Sequence, residues 1–210
     1  MTVLRKSKTV FPKVTRKNID NIKEKRKMTF HKPKNIVEYI KLFRLYEAAF
    51  PISEKKPISM ILKMSKCGAT DIWYFEENGA FLGLAITINS PDIILIDYFA
   101  VNEKNRSKGN GERMLKSLIS HYSDKGVFLE IEVPYEDADN YKDRMRRRRF
   151  YTERVGLIPM ETRACLFGVD MELLGTEGCH LTYDEYRNFY LNNYGRFAYD
   201  NITPPKGNNR

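Results

Sequence analysis

The sequence predicts a single α/β domain with a mostly antiparallel front half, preceded by a basic segment. Three observations carry this reading. Apolar runs of strand length alternate with amphipathic stretches of helical period once the chain passes Lys27. Between Asp71 and Val101 three strand candidates follow one another across short turns, which suits antiparallel neighbours. A basic, glycine-rich turn, Arg106-Ser-Lys-Gly-Asn-Gly111, then joins a nearly all-apolar strand to an amphipathic helix.

Taken in order, Met28–His31 is a short strand. Asn35 is an N-cap for a helix whose apolar positions are Ile36, Val37, Ile40, Leu42, Phe43, Tyr46 and Phe50, stopped by Pro51. Pro57 suits the first turn of a second helix through Met64, ended near Gly68. Strands over Asp71–Glu76 and Ala80–Asn89 flank Glu77-Asn78-Gly79, a hairpin turn. Ser90-Pro91-Asp92 leads into the strand Ile93–Val101. The helix from Glu112 to Tyr122 carries an apolar stripe of Met114, Leu115, Leu118, Ile119 and Tyr122, closed by Gly126. In the strand Val127–Val133 the odd positions share one face, and Phe128, Glu130 and Glu132 share the other. A charged helix is expected over about Ala138–Val155, then strands around Leu157–Met160 and Ala164–Leu173. Thr182-Tyr-Asp-Glu185 is a capping box opening a last helix with Tyr186, Phe189, Tyr190 and Tyr194. Thr203–Arg210 reads as a frayed tail.

The chain has 210 residues, 42% of them hydrophobic, enough for one core. No apolar run approaches the ~18 residues of a membrane span, and no signal-peptide pattern follows the basic start, so a soluble, cytoplasmic protein is expected. Cys67, Cys165 and Cys179 form no CxxC pair, which argues against a disulfide framework and a zinc site; no metal is expected. Of the net charge of +9, residues 1–27 hold +8, from ten Lys or Arg against Asp20 and Glu24. Such a block is either a solvated tail that aids solubility or a weak contact for nucleic acid or another polyanion; Val10, Phe11 and Val14 are candidates to tack it onto the domain.

A turn from strand to helix presents several backbone N–H groups together at the positive end of the helix dipole. Arg106 and Lys108 add charge, and glycine lets the backbone approach a ligand. The implied ligand is a phosphate or pyrophosphate. The P-loop string GxxxxGK[ST] is absent, and Met114 stands where a dinucleotide fingerprint needs its third glycine. What remains is Arg-x-x-Gly-x-Gly, weak by itself.

In context, Ile93–Val101, the turn, the amphipathic helix and the Val127 strand resemble motif A of the GNAT acetyltransferase superfamily. Arg149-Phe-Tyr-Thr-Glu-Arg-Val-Gly-Leu157 resembles its motif B. The resemblance spans roughly residues 28–173. It implies a GNAT fold: a central, mixed, mostly antiparallel sheet splayed at a V between strands 4 and 5 and flanked by helices. The implied organisation is a basic N-terminal segment over 1–27, a GNAT domain over 28–175 and a C-terminal helical extension over 176–210.

The resemblance further implies acetyl-CoA as co-substrate. Its pantetheine arm is expected along Phe99, Ala100 and Val101, and its pyrophosphate on Arg106, Ser107, Lys108, Gly109, Asn110, Gly111 and Glu112. The implied activity is direct transfer of the acetyl group to a small-molecule or peptide amine, with no covalent enzyme intermediate. A non-catalytic CoA-binding domain and a nucleic-acid-associated protein are the alternatives.

An attacking amine must lose a proton. Two bases are candidates. Glu132 lies on the strand across the cleft, where some relatives carry a catalytic glutamate. Asp97 is a charge within an otherwise apolar strand, costly unless paired or functional. Each is equally readable as half of an ion pair, with arginines of the Arg144–Arg149 run as partners. That run otherwise reads as a solvated helix face, or as a contact for CoA phosphates or an acidic substrate. Tyr151 is the implied acid toward the CoA sulfur, or else a packed core aromatic. One departure stands out: Tyr151 is five residues before Gly156, whereas the family pattern has four, so Thr152 takes the usual place.

Overall fold

The computed structural model describes residues 27–206; residues 1–26, which hold most of the basic block with Val10, Phe11 and Val14, and residues 207–210 lie outside them. The strands are β1 Met28–His31, β2 Thr70–Glu77, β3 Ala80–Asn89, β4 Ile93–Val101, β5 Gly126–Glu132, β6 Ile158–Leu166, β7 Val169–Gly175 and β8 Ile202–Thr203. The helices are α1 Ile36–Ala49, α2 Ile58–Lys66, α3 Asn110–His121, α4 Tyr141–Arg149, α5 Tyr183–Tyr194 and α6 Arg196–Asp200.

The eight strands of the described residues form one sheet in the order β1-β2-β3-β4-β5-β7-β6-β8. β4–β5 is the parallel pair and the others are antiparallel. A parallel neighbour needs a crossover, and α3 supplies it. The two strands pair only at Ile93↔Gly126, Ile94↔Val127 and Leu95↔Phe128. Beyond that point β4 runs on to Val101 and β5 to Glu132 without pairing to each other, and the sheet opens into a V.

A β-bulge sits where the V begins. Thr87 pairs with Ile96 and Ile86 with Tyr98, so Asp97 is an extra residue in β4. The extra residue resets the alternation of faces. Ile94, Ile96, Phe99 and Val101 pack into the cluster built on α3. Leu95, Tyr98 and Ala100 pack on the opposite face.

Each helix covers a defined part of that sheet. On one face Met114, Leu115 and Leu118 of α3 are fully buried against Ile94, Val127 and Leu129. On the other, Leu42 and Tyr46 of α1 and Ile61 of α2 bury Ile72, Leu84 and Tyr98. Tyr186, Phe189 and Tyr190 of α5 bury Leu95, Phe128 and Leu173. At ~1.5–3 kcal/mol per fully buried large apolar side chain, these contacts outweigh any intrinsic helix preference.

Three expectations are corrected. Ala164–Leu173 is not one strand: the chain reverses at Phe167-Gly168, both at positive φ (47° and 86°), which separates β6 from β7. Thr203 is not in a frayed tail: Leu166 pairs with Ile202 and Cys165 with Thr203, and the Lys206 N–H donates to Asp170 at 3.0 Å. The charged helix begins at Tyr141 rather than Ala138, and its α-helical part ends at Arg149. Phe150–Val155 continues it as a wider π-turn.

Candidate active site

The V and the turn that follows it form one continuous feature. From Ile96 onward the side of β4 that faces β5 has no strand partner. The chain then reaches the glycine-rich turn and α3. There the N–H groups of Ser107, Lys108, Gly109, Asn110, Gly111 and Glu112 donate to no acceptor among the described residues, and the helical ladder begins with Arg113 N–H to Gly109 O at 3.2 Å. Six free donors at a helix N-terminus form a strong anion cradle.

Sequence explains the shape of the turn. Ser107 and Gly109 both lie at positive φ (60° and 74°), which turns successive N–H groups the same way. The Asn110 side chain, buried in the first helical turn, donates to Asn105 O at 3.0 Å and braces the turn from inside. Arg106 Nε donates to Val101 O at 3.0 Å, and Lys108 Nζ to Lys104 O at 2.7 Å, so both charges are held beside the cradle. Gly111 has a packing role: a Cβ there would meet Phe150 Cζ and Val101 Cγ2 at 3.3 Å each. The Glu112 carboxylate points away into ion pairs with Lys116 at 2.9 Å and Arg154 at 3.1 Å, and hydrogen bonding to Lys116 holds its pKa below the ordinary value. A concavity of about 570 Å³, lined by Lys108, Asn110 and Arg113 with Glu77 and Leu82, adjoins the turn from the β2–β3 side.

The π-turn answers the question of register. The Gly156 N–H donates to Tyr151 O at 3.1 Å, five residues back, and Leu157 N–H donates to the same oxygen at 3.0 Å. The wider turn absorbs the extra residue between Tyr151 and Gly156, without the ~100° rotation that a regular helix would impose. Gly156, at φ 92°, ends it. Phe150 and Tyr151 pack at the edge of the α3 cluster, as do Phe99 and Val101. Burial raises the Tyr151 pKa, opposed by the positive charge of Arg147. Thr152 Oγ1 instead donates to Arg148 O at 3.0 Å.

The face opposite α3 is chemically different. Asp97, with a side chain only 8% exposed, accepts both hydrogen bonds of Lys56 Nζ at 2.8 Å and one from the Tyr194 hydroxyl at 3.0 Å. Across the V, the Tyr190 hydroxyl lies 2.8 Å from each oxygen of Glu130. Helix α5 thus reaches both arms of the V with tyrosines one turn apart. Burial pushes the Glu130 carboxyl up to about 7, against the opposing pull of the Tyr186 and Tyr190 hydroxyls. Farther along β5, Glu132 is held by Arg144 at 2.9 Å and Arg147 at 3.7 Å.

The predicted residues therefore fall into two groups. Phe99, Ala100, Val101 and residues 106–112 form one continuous strand-and-cradle feature, and the π-turn packs against it through Phe150 and Gly111. Asp97 and Glu132 stand at the V but are engaged by cations. Arginines do pair with carboxylates here, Arg144 with Glu132 and Arg148 with Glu172 at 2.7 Å, but the partner of Asp97 is Lys56. Glu130 lies on the face that the alternation of Val127–Val133 predicts, and no role was expected of it. Its signal was a charged residue flanked by Leu129 and Ile131, in a strand followed fifty residues on by a tyrosine-rich helix.

No family model and no curated protein matches this chain by sequence. Solved structures do match. The chain is similar to a protein from Bacteroides thetaiotaomicron assigned to the GNAT acetyltransferase family, with TM-score 0.66 and 18% identity over 81% of this chain and 99% of that one. A protein assigned to the same family from Desulfovibrio desulfuricans matches with TM-score 0.54 and 16% identity, over 72% and 99% of the two chains. Spermidine N-acetyltransferase from Vibrio cholerae, solved with CoA and spermine, matches with TM-score 0.54 and 11% identity, over 71% and 94%. The expected fold is therefore observed: this is the GNAT fold, splayed between β4 and β5.

Proposed function

We propose that the protein is an N-acyltransferase that moves an acetyl group from acetyl-CoA to an amine. The observation that carries this reading is the unpaired edge of β4 leading directly into six free N–H groups at the start of α3. An edge strand can hydrogen-bond an amide-bearing chain as an added strand would. A helix N-terminus flanked by Arg106 and Lys108 holds a pyrophosphate. CoA carries both chemistries, joined in that order, and supplies the activated acetyl thioester when bound.

In this reading Phe99–Val101 orient the pantetheine arm, and the N–H groups of Ser107–Glu112 hold the phosphates. Tyr151 donates a proton, or a hydrogen bond, to the departing sulfur. The acceptor enters from the α5 face, where the carboxylates are. Of the three carboxylates at the V, Asp97 and Glu132 are occupied by cations, and Glu130 is the one poised near neutral pH. A base whose pKa lies near the working pH is the most effective, so toward an external amine the proton-accepting role falls to Glu130, whose oxygens face the Tyr190 hydroxyl rather than a cation. The alternative is a non-catalytic CoA-binding domain, which the shifted tyrosine would suit; the π-turn, which accommodates the extra residue before Gly156, supports the catalytic reading instead. The direct test incubates the protein with acetyl-CoA and a panel of amines, peptide N-termini and polyamines included, and follows free CoA. Amine-dependent release is expected; CoA binding with release from none of them would favour the non-catalytic reading.

A further inference from the structure

The connection between α1 and α2 delivers one primary amine to the acceptor side of the V. Lys56 Nζ touches both oxygens of Asp97 and lies 4.3 Å from the centre of the Tyr194 ring and 5.1 Å from that of Tyr98. Its backbone is fixed there as well. Lys56 N–H donates toward the hydroxyls of Tyr46 at 2.8 Å and Tyr98 at 3.1 Å, and the Tyr46 hydroxyl donates to Lys56 O at 3.0 Å. The Tyr98 hydroxyl donates to Glu54 O at 2.7 Å, which secures the preceding turn. The lysine side chain keeps 25% of its surface exposed, so it is neither sealed in the core nor free.

Its place at the opening of the V and its two aromatic rings separate Lys56 from the other paired lysines among the described residues; Lys32, paired with Asp71, lies over the single ring of Trp73 with 63% of its side chain exposed. Lys116 pairs with Glu112 on an exposed helix face, one turn away. Lys56 is held across 41 positions by a buried carboxylate, which is the bulge residue two positions past the last β4–β5 pair. It is also enclosed by two aromatic rings, a setting that recognises an ammonium group. A carboxylate to take the proton, rings to hold the carbon chain and a position at the opening of the V are what an acceptor amine requires.

We propose that Lys56 is itself an acceptor, so that the protein transfers an acetyl group from acetyl-CoA to its own Lys56. The inference rests on the acetyltransferase reading above. The ammonium first passes a proton to Asp97 and becomes a neutral amine. Its lone pair attacks the thioester carbon; the C–N bond forms, the C–S bond breaks and CoA departs as thiolate. The second proton leaves nitrogen, the sulfur gains one, and one proton in total goes to solvent. The product amide is uncharged and no longer pairs with Asp97, which frees the carboxylate and the ring-lined space for an external primary amine.

The test uses the full chain with acetyl-CoA carrying an isotopically labelled acetyl group, followed by peptide mass spectrometry over time. Lys56 is expected to gain label roughly tenfold or more faster than exposed Lys41 and Lys116, the modest end of what a held geometry provides. The rate should be independent of protein concentration. Tyr151→Phe should slow labelling of Lys56 and leave Lys41 and Lys116 unchanged. Asp97→Asn should also slow it, with melting followed in parallel; Lys56→Arg, which keeps a cation beside Asp97, should lose the labelled peptide and remain folded. Lys56 labelled no faster than the exposed lysines, or labelled equally in Tyr151→Phe, overturns the proposal. Free CoA measured in the same samples with added amines separates the two readings: turnover of an amine with Lys56 unlabelled removes only this inference, whereas no turnover and no CoA binding removes the acetyltransferase reading and this inference with it.

Discussion

The two faces of the splayed sheet are built from the same strands and differ in what they offer a ligand. On the α3 face, Ile94, Ile96, Phe99 and Val101 are apolar, and the polar groups are backbone N–H donors at the helix start. On the α5 face, Asp97 and Glu130 bring carboxylates, and Tyr98, Tyr190 and Tyr194 bring hydroxyls and ring faces. One face suits an anionic, amide-bearing chain and the other a cationic amine. The bulge at Asp97 makes the separation possible. With strict alternation, Asp97 and Tyr98 would point to opposite faces.

The largest expected effect breaks the assignment of the α3 face. Tyr151→Phe removes one oxygen, and general-acid help is typically worth ~10²–10⁴ in rate. Turnover should fall by that order, while CoA affinity and melting temperature stay close to wild type. Thr152→Ala should retain turnover, because the threonine hydroxyl already donates to Arg148 O. The reverse outcome in steady-state kinetics would give the role to the family's usual position.

Next comes the pair that ties α5 and the α1–α2 connection to β4. Asp97→Asn leaves Lys56 beside a neutral side chain. Unpairing a buried ion pair costs ~3–5 kcal/mol. The low end, about 3 kcal/mol, is expected because Lys56 keeps 25% of its side chain in solvent. Denaturant unfolding checks this; a loss under about 1 kcal/mol would class the pair with ordinary surface bridges.

Gly111→Val should weaken CoA binding by about 1–3 kcal/mol, the range for a lost charge-assisted contact. The added side chain would press on Phe150 and Val101, so the start of α3 and the π-turn must separate. Calorimetry on a folded variant measures it, and unchanged affinity would detach the turn from the cofactor.

The smallest effect sharpens the α5 face. Glu130 is raised from 4.5 to about 7, so across that window the folded state keeps a proton that the unfolded chain releases. Stability therefore falls as pH rises from about 4.5 toward 7, and Glu130 contributes most below that window. The groups facing it are Tyr186, Tyr190, Asp97 and Lys56. Glu130→Gln should flatten this part of the stability–pH curve; a curve of unchanged slope would mean that Glu130 titrates as an ordinary carboxylate.

Much of the fold was legible wherever local chemistry decides. Asn78-Gly79, at φ 53° and 74°, makes the turn that its residue types announce. Asn35 caps α1, and Thr182 with Glu185 forms the capping box of α5. Periodicity located the α3 stripe. The missed features depend on partners distant in sequence or on unusual backbone. Phe167 turns the chain at positive φ, a conformation a bulky residue rarely announces. β8 is two residues long and is a strand only because β6 lies beside it. A π-turn leaves no periodic mark, so the displaced tyrosine was visible and its accommodation was not. At the site, Asp97 was legible as a carboxylate in need of a partner. Lys56, 41 positions away, and the tyrosine tips of α5 reach it only through the fold.

The central claim is that CoA lies along the open edge of β4 and on the start of α3. Amide hydrogen exchange with and without CoA tests it most directly, because the N–H groups of Ser107–Glu112 have no acceptor among the described residues and β4 has no partner toward β5 beyond Leu95. The account predicts that CoA slows exchange in peptides covering Phe99–Val101 and Ser107–Glu112, while the β2–β3 turn at Asn78-Gly79 is unaffected. Protection elsewhere, with those two segments exchanging as fast as in the free protein, would contradict it.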